Sequence, residues 1–130
     1  MKHQALIDAA TAVRKQAHAP YSKYKVGAAL QAADGRVFVG CNVENRSYGL
    51  TVCAERNAMA AAVAAGAREF TALAVVTQDE KPAAPCGACR QVLAELAPVL
   101  PILLASTRGN VVKTRLDKLL PMQFEFSPPR

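Results

Sequence analysis

Three cysteines in two short motifs restrict this chain more than any other feature. Cys53-Ala54-Glu55-Arg56 and Pro85-Cys86-Gly87-Ala88-Cys89-Arg90 each open a stretch of helical character, one on either side of residues 57–84. In Cys-x-x-Cys the turn at a helix start points both sulfurs to the same side. The pair can therefore grip one metal ion, and a thiolate from another helix start completes three protein ligands, the spacing expected for zinc. Three anionic sulfurs around one dication leave a net charge of about −1, which a buried site does not carry unaided. Two helix N-termini, each equivalent to about half a positive charge, offset it together with Arg56 or Arg90. Helix starts also lower thiol pKa values, as metal binding requires.

This arrangement has to fit into 130 residues, and residues 1–130 are read as a single domain. With 52% apolar and 20% charged residues the composition is globular, neither disordered nor fibrous. Ala58 to Ala67 is an uninterrupted apolar run of ten residues, well short of the roughly 18 that cross a bilayer. Met1-Lys2-His3-Gln4 lacks the apolar run of a secretion signal. The expected location is cytoplasmic and reducing, where clustered thiols mean metal or catalysis more often than disulfides. The formal charge of +6 is diffuse: sixteen Lys and Arg are spread from Lys2 to Arg130, and only Arg14-Lys15 are adjacent. Basic and aromatic residues interleave only over Tyr21-Ser22-Lys23-Tyr24-Lys25, so neither a nucleic-acid nor a membrane partner is expected.

Leu6, Ile7, Ala10 and Val13 recur at helical spacing between Lys2 and Ala17, with Arg14, Lys15 and Gln16 facing outward. Residues 26–32 and 36–40 flank the turn dipeptide Asp34-Gly35 and read as an antiparallel hairpin. Thr51 can cap a helix from about Cys53 to Ala65, closed by Gly66. That helix is rich in alanine and suits close approach by another element or subunit. Phe70 to Thr77 is a strand covered on both faces, and Cys86 to Leu96 is a helix. Strands over residues 101–105 and 111–114 and a turn over residues 116–120 follow. The order implies one mixed sheet with helices on both faces.

A structural zinc site uses four protein ligands, whereas a catalytic one keeps a position open. Only three cysteines lie in the motifs; Cys41, at a strand end, either closes the site or is a small buried residue. Glu55, two positions after a ligand, can act as general base toward water at the metal without being a ligand itself. Cys-x-Glu with a distant Pro-Cys-x-x-Cys is the signature of zinc nucleobase deaminases.

Together with Val26-Gly27-Ala28-Ala29 and Cys41-Asn42-Val43-Glu44-Asn45, these motifs resemble the small homotetrameric cytidine deaminases over nearly the whole chain. The resemblance implies an α/β fold, a three-layer α/β/α sandwich about a mixed five-stranded sheet. It implies hydrolysis of free cytidine and 2′-deoxycytidine to the uridines and ammonia, in pyrimidine salvage. One zinc ion per chain would sit on Cys53, Cys86 and Cys89, with Glu55 as proton shuttle and Arg56 donating to the ligand sulfurs. Asn42 and Glu44 would bind the ribose 3′-hydroxyl, and the Ala54 N–H the base carbonyl. Tyr48 and Phe124 resemble positions that reach the nucleoside from neighbouring subunits of a homotetramer. Tyr24 stands where phenylalanine is usual and keeps an aromatic face. Arg46 and the tail from Glu125 to Arg130 match no pattern.

Three other readings compete. An editor of RNA or DNA needs a continuous basic groove and an unblocked 3′ end, and Glu44 argues against it. A deaminase of aminonucleoside antibiotics shares the zinc motifs but not the Asn-Val-Glu-Asn loop. A structural zinc module requires Cys41 as fourth ligand.

Overall fold

The computed structural model describes residues 2–125, so residues 126–130 of the tail lie outside the described residues. Strands β1 (Gly27–Ala32), β2 (Val37–Cys41), β3 (Phe70–Thr77), β4 (Pro101–Ser106) and β5 (Val111–Arg115) form one sheet in the order β2-β1-β3-β4-β5. The hairpin β1–β2 turns at Asp34-Gly35, where Gly35 has φ +94°. β1 also runs antiparallel to β3, and β4 to β5, while β3 and β4 are parallel. A parallel pair needs a crossover, and helix α3 (Gly87–Leu96) provides it.

Successive residues of the central strands enter opposite cores. Leu30, Leu73, Val75, Ile102 and Leu104 pack with α2 (Ala54–Ala64), with Leu93 of α3, and with Leu116 of the short α4 (Leu116–Leu119). Ala29, Ala74, Val76, Leu103 and Ala105 pack against Leu6 and Ala10 of α1 (Lys2–Arg14). The result is the expected three-layer α/β/α arrangement with a mixed five-stranded sheet. Among the described residues no helix is long and apolar enough to cross a membrane.

Two local expectations are corrected. α1 ends at Arg14 instead of Ala17, its last carbonyls being taken by the tighter bonds of residues 15–17. Arg14 does not face outward: it is half-buried and donates Nε to the Lys25 carbonyl at 2.9 Å. Thr51 does not cap α2. The N-cap is Cys53, with no side-chain cap bond, and Thr51 Oγ1 instead accepts the Asn45 N–H at 3.2 Å. The first N–H groups of α2 therefore keep no side-chain cap.

The alanines of α2 let it lie directly on β2. A Cβ on Gly40 would come within 2.5 Å of the Ala54 carbonyl oxygen and the Ala58 nitrogen. Gly40 thus fixes how closely the start of α2 approaches the sheet. Gly40→Ala is expected to destabilise the protein by about 1–3 kcal/mol through overpacking. Gly49→Ala, where an added Cβ meets nothing within 4 Å, should stay within about 0.5 kcal/mol; denaturant unfolding of the two variants checks the difference.

Candidate active site

Cys53 and Cys86 hold the same station on two helices. Each is an N-cap in extended conformation, φ −73° and −67°, without a side-chain cap bond. Cys89 lies on the first turn of α3 and is fully buried. The Cys53 and Cys86 sulfurs are 3.8 Å apart, those of Cys86 and Cys89 3.4 Å, and all three lie within 4.8 Å of one another. Tetrahedral zinc with Zn–S bonds of about 2.3 Å requires sulfurs about 3.8 Å apart, so the three thiols fit that ion. Among the described residues the group ends at three. Cys41, at the end of β2, is outside it and is half-buried. A three-ligand set leaves one position open, as catalytic zinc sites do.

The electrostatics divide the site into a region that favours anions and one that favours neutral acids. The Cys53 thiol is held down to about 5, first by the hydrogen bond from Cys89 and then by Arg56. Cys89 is raised, because it gives that hydrogen bond and because it is buried. Without metal, proton loss is thus favoured at Cys53 over Cys89. Arg56 Nη2 donates to Cys53 Sγ at 3.6 Å, which raises the guanidinium's own proton affinity. Arg90 is not the partner: its Nε and Nη1 go to the Pro85 and Leu119 carbonyls, both at 2.7 Å. Glu55, 5% exposed, is pushed up to about 7, chiefly by burial and further by the charge on Cys53.

A cleft of about 280 Å³ opens beside these groups. Ala54, Glu55, Cys53 and Cys86 border it on the metal side, Val75 and Thr77 along β3, and Ser22, Tyr24, Asn42 and Glu44 opposite. Ala54 is the first residue of α2, and its N–H has no carbonyl one turn back to bond. Asn42 accepts the Val26 N–H with Oδ1 and donates Nδ2 to the Tyr24 carbonyl, both at 2.8 Å. Glu44 Oε1 accepts the Tyr21 and Ser22 N–H groups at 3.0 and 3.1 Å, and Oε2 accepts the Ser22 hydroxyl. That hydroxyl is the first reason the Glu44 carboxyl lies below its usual range.

The structure gathers Cys53, Cys86, Cys89, Glu55, Ala54, Asn42, Glu44 and Tyr24 around one cleft, with Arg56 behind the sulfurs. Tyr48 and Phe124, each 74% exposed, do not line the cleft itself, but Tyr48 borders an adjoining depression together with Ser22, Glu44 and Thr51. Tyr48 stacks edge-on against Tyr21, ring centroids 5.9 Å apart. Sequence reasoning missed Ser22, Thr77 and Asp79. Ser22 supports Glu44; Thr77 borders the cleft with a buried hydroxyl that has no hydrogen-bond partner; Asp79 Oδ2 accepts the Tyr24 hydroxyl at 2.6 Å. Nothing in their spacing marks them, since each acts through tertiary contacts.

Comparison with known proteins agrees with this geometry. Residues 1–102 match the family model described as the cytidine and deoxycytidylate deaminase zinc-binding region. A cytidine deaminase from Sporosarcina psychrophila is 49% identical over 95% of this chain and 92% of its own. Another, from Halalkalibacterium halodurans, is 46% identical over 95% of each. The 1.6 Å crystal structure of cytidine deaminase from Burkholderia pseudomallei superposes with a TM-score of 0.93 at 57% identity, over 95% of this chain and all of that one. With a three-thiol metal group, an open position and a buried carboxyl beside it, the chain belongs to the cytidine and deoxycytidylate deaminase zinc-binding family.

Proposed function

We propose that this chain catalyses the zinc-dependent hydrolytic deamination of free cytidine and 2′-deoxycytidine to uridine and 2′-deoxyuridine with release of ammonia, a step of pyrimidine salvage in the cytoplasm. The observation that carries this reading is the placement of Glu55, buried at the floor of the cleft beside Cys53 with its carboxyl pushed up to about 7. A carboxyl near neutrality takes and returns a proton at low cost. Cys53, Cys86 and Cys89 would hold one zinc ion, which when bound would supply a Lewis acid that makes water nucleophilic near neutral pH.

Glu55 does the proton work. It accepts the proton of the attacking water and passes it to the ring nitrogen next to the carbon that carries the amino group. It then delivers the second proton of that water to the departing amine, so cytidine and water become uridine and ammonia. The Ala54 N–H, free at a helix start, donates to the base carbonyl. Tyr24 offers the base an aromatic face. Arg56 keeps the sulfur cluster from carrying an uncompensated charge.

Asn42 and Glu44 bind the ribose 3′-hydroxyl. Each is already fixed by backbone contacts and retains acceptor or donor capacity for a ligand. A phosphodiester at that oxygen would meet the Glu44 carboxylate, which favours a free nucleoside over a polynucleotide. The chain acts as one domain within a homotetramer whose subunits share active sites. Supporting this are the exposed Tyr48 and Phe124 and an apolar groove of about 630 Å³ between α2 and α3, bordered by Met59, Val63, Val92 and Leu96. The cleft of a single chain, about 280 Å³, falls just below the roughly 300 Å³ at which small-molecule sites begin.

Three outcomes test this reading. Glu55→Ala should retain zinc but lose at least 10²-fold in turnover, as is typical for one acid/base group; near-normal turnover would remove Glu55 from its role. 3′-Deoxycytidine should be deaminated with kcat/KM roughly 10- to 100-fold below that of 2′-deoxycytidine, because Glu44 and Asn42 are left unpaired. Stripping zinc with a chelator should abolish activity, and added zinc should restore it. In the stripped protein the folded-state pKa of Glu55 near 7 exceeds its ordinary 4.5, so the carboxyl costs stability as pH rises from about 4.5 to 7. Glu55→Gln should therefore stabilise the stripped protein increasingly across that window, approaching about 3 kcal/mol above it; thermal unfolding at several pH values reads this.

A further inference from the structure

Two segments that border the cleft are bridged twice by side chains the reaction chemistry does not use. Tyr24 Oη donates to Asp79 Oδ2 at 2.6 Å, and Arg14 donates Nε to the Lys25 carbonyl and Nη2 to Gln78 Oε1, both at 2.9 Å. Residues 24–25 are thus tied to residues 78–79. Both ends of the Tyr24–Asp79 bridge are anchored independently. The Tyr24 N–H donates to Ser22 Oγ at 3.0 Å and its carbonyl accepts from Asn42 Nδ2 at 2.8 Å. On the other side the Asp79 carbonyl accepts the Ser106 hydroxyl, and the Glu80 carbonyl accepts Asn110 Nδ2 at 2.6 Å, which hold this stretch to the β4–β5 turn. The Asp79 side chain is itself exposed and meets the cleft through Tyr24, which lines it with Thr77.

An aromatic face toward a base needs only a phenyl ring, so the hydroxyl of Tyr24 serves something else. An O–H to carboxylate bond of this length is of the strong, charge-assisted kind. We infer that Asp79 is a positioning residue for the nucleoside, holding the Tyr24 ring as a fixed wall of the cleft through the phenol hydroxyl. It also ties the segment before β1 to the loop that leads to Cys86. The inference rests on the reading of this cleft as the nucleoside site. A ring already held in its bound rotamer loses less freedom when the ligand arrives, so the bridge acts on binding and little on the chemical step.

Steady-state kinetics of the zinc-loaded protein with cytidine tests this, using Tyr24→Phe, Asp79→Ala, the double variant and Asp79→Asn. Tyr24→Phe and Asp79→Ala should each raise KM by roughly 3- to 10-fold with kcat changed much less. The double variant should be no worse than the more impaired single one, as for two partners in one bond. Asp79→Asn, which keeps an acceptor, should recover most of the lost binding. An unchanged KM in either single variant, multiplying effects in the double variant, or Asp79→Asn as impaired as Asp79→Ala would overturn the inference. Tyr24→Phe keeps the ring and its packing, so it reports even if another variant folds poorly. A parent protein that does not turn over cytidine removes the reading of the cleft itself. A parent that does, with unaffected variants, removes Asp79 alone.

Discussion

Three cysteine sulfurs lie within 4.8 Å of one another at the starts of two helices, and thiolates so close repel strongly unless positive charge surrounds them. Much of the fold answers that requirement. The sheet order places α2 and α3 on the same face, with both N-termini directed at the cluster. The two helix starts use cysteine as N-cap with no side-chain cap bond. Their first N–H groups stay available to the sulfurs and to whatever occupies the cleft. Arg56, one turn into α2, adds a full positive charge at 3.6 Å from Cys53. Gly40 permits this geometry from below, since any side chain there would push the start of α2 away from β2.

The surroundings of the same cluster drive two neighbouring acids apart in the metal-free chain. Cys53 is held down to about 5 while Glu55, two residues on, is pushed up to about 7. Neighbouring acids driven in opposite directions by their surroundings are the setting in which acid and base roles separate. Burial does most of the work on Glu55. The apolar surroundings that Val75 and the alanines of α2 provide therefore bear on the Glu55 carboxyl as well as on the core.

What the sequence carries depends on the range of the forces involved. β3 is legible residue for residue, because Ala72 to Thr77 are buried whichever face of the sheet they take. The hairpin and the end of α2 are legible because Gly35 and Gly66 take φ values of +94° and +92°. The three-thiol group of Cys53, Cys86 and Cys89, with Glu55 beside it, can be read from spacing, since helix starts dictate where their side chains point. Thr51 misleads as a cap because a cysteine with another task occupies that station. Arg14 reads as a surface residue because its long side chain finds partners 11 and 64 residues away. Asp79 lies in a loop with no period, and its contact with Tyr24 spans 55 positions. Tyr48 and Phe124 are legible only through family resemblance, and a single chain leaves them in solvent.

In the proposed function the three thiols hold one zinc ion which, with Glu55, acts on a free nucleoside. The most direct measurement determines zinc per chain in purified protein and, on the same sample, follows ammonia release from free cytidine and from a single-stranded oligocytidine. The expected result is about one zinc per chain, ammonia matching uridine formed from the nucleoside, and none from the oligonucleotide. Zinc-loaded protein that leaves cytidine intact, or that deaminates the oligonucleotide as readily, would contradict it.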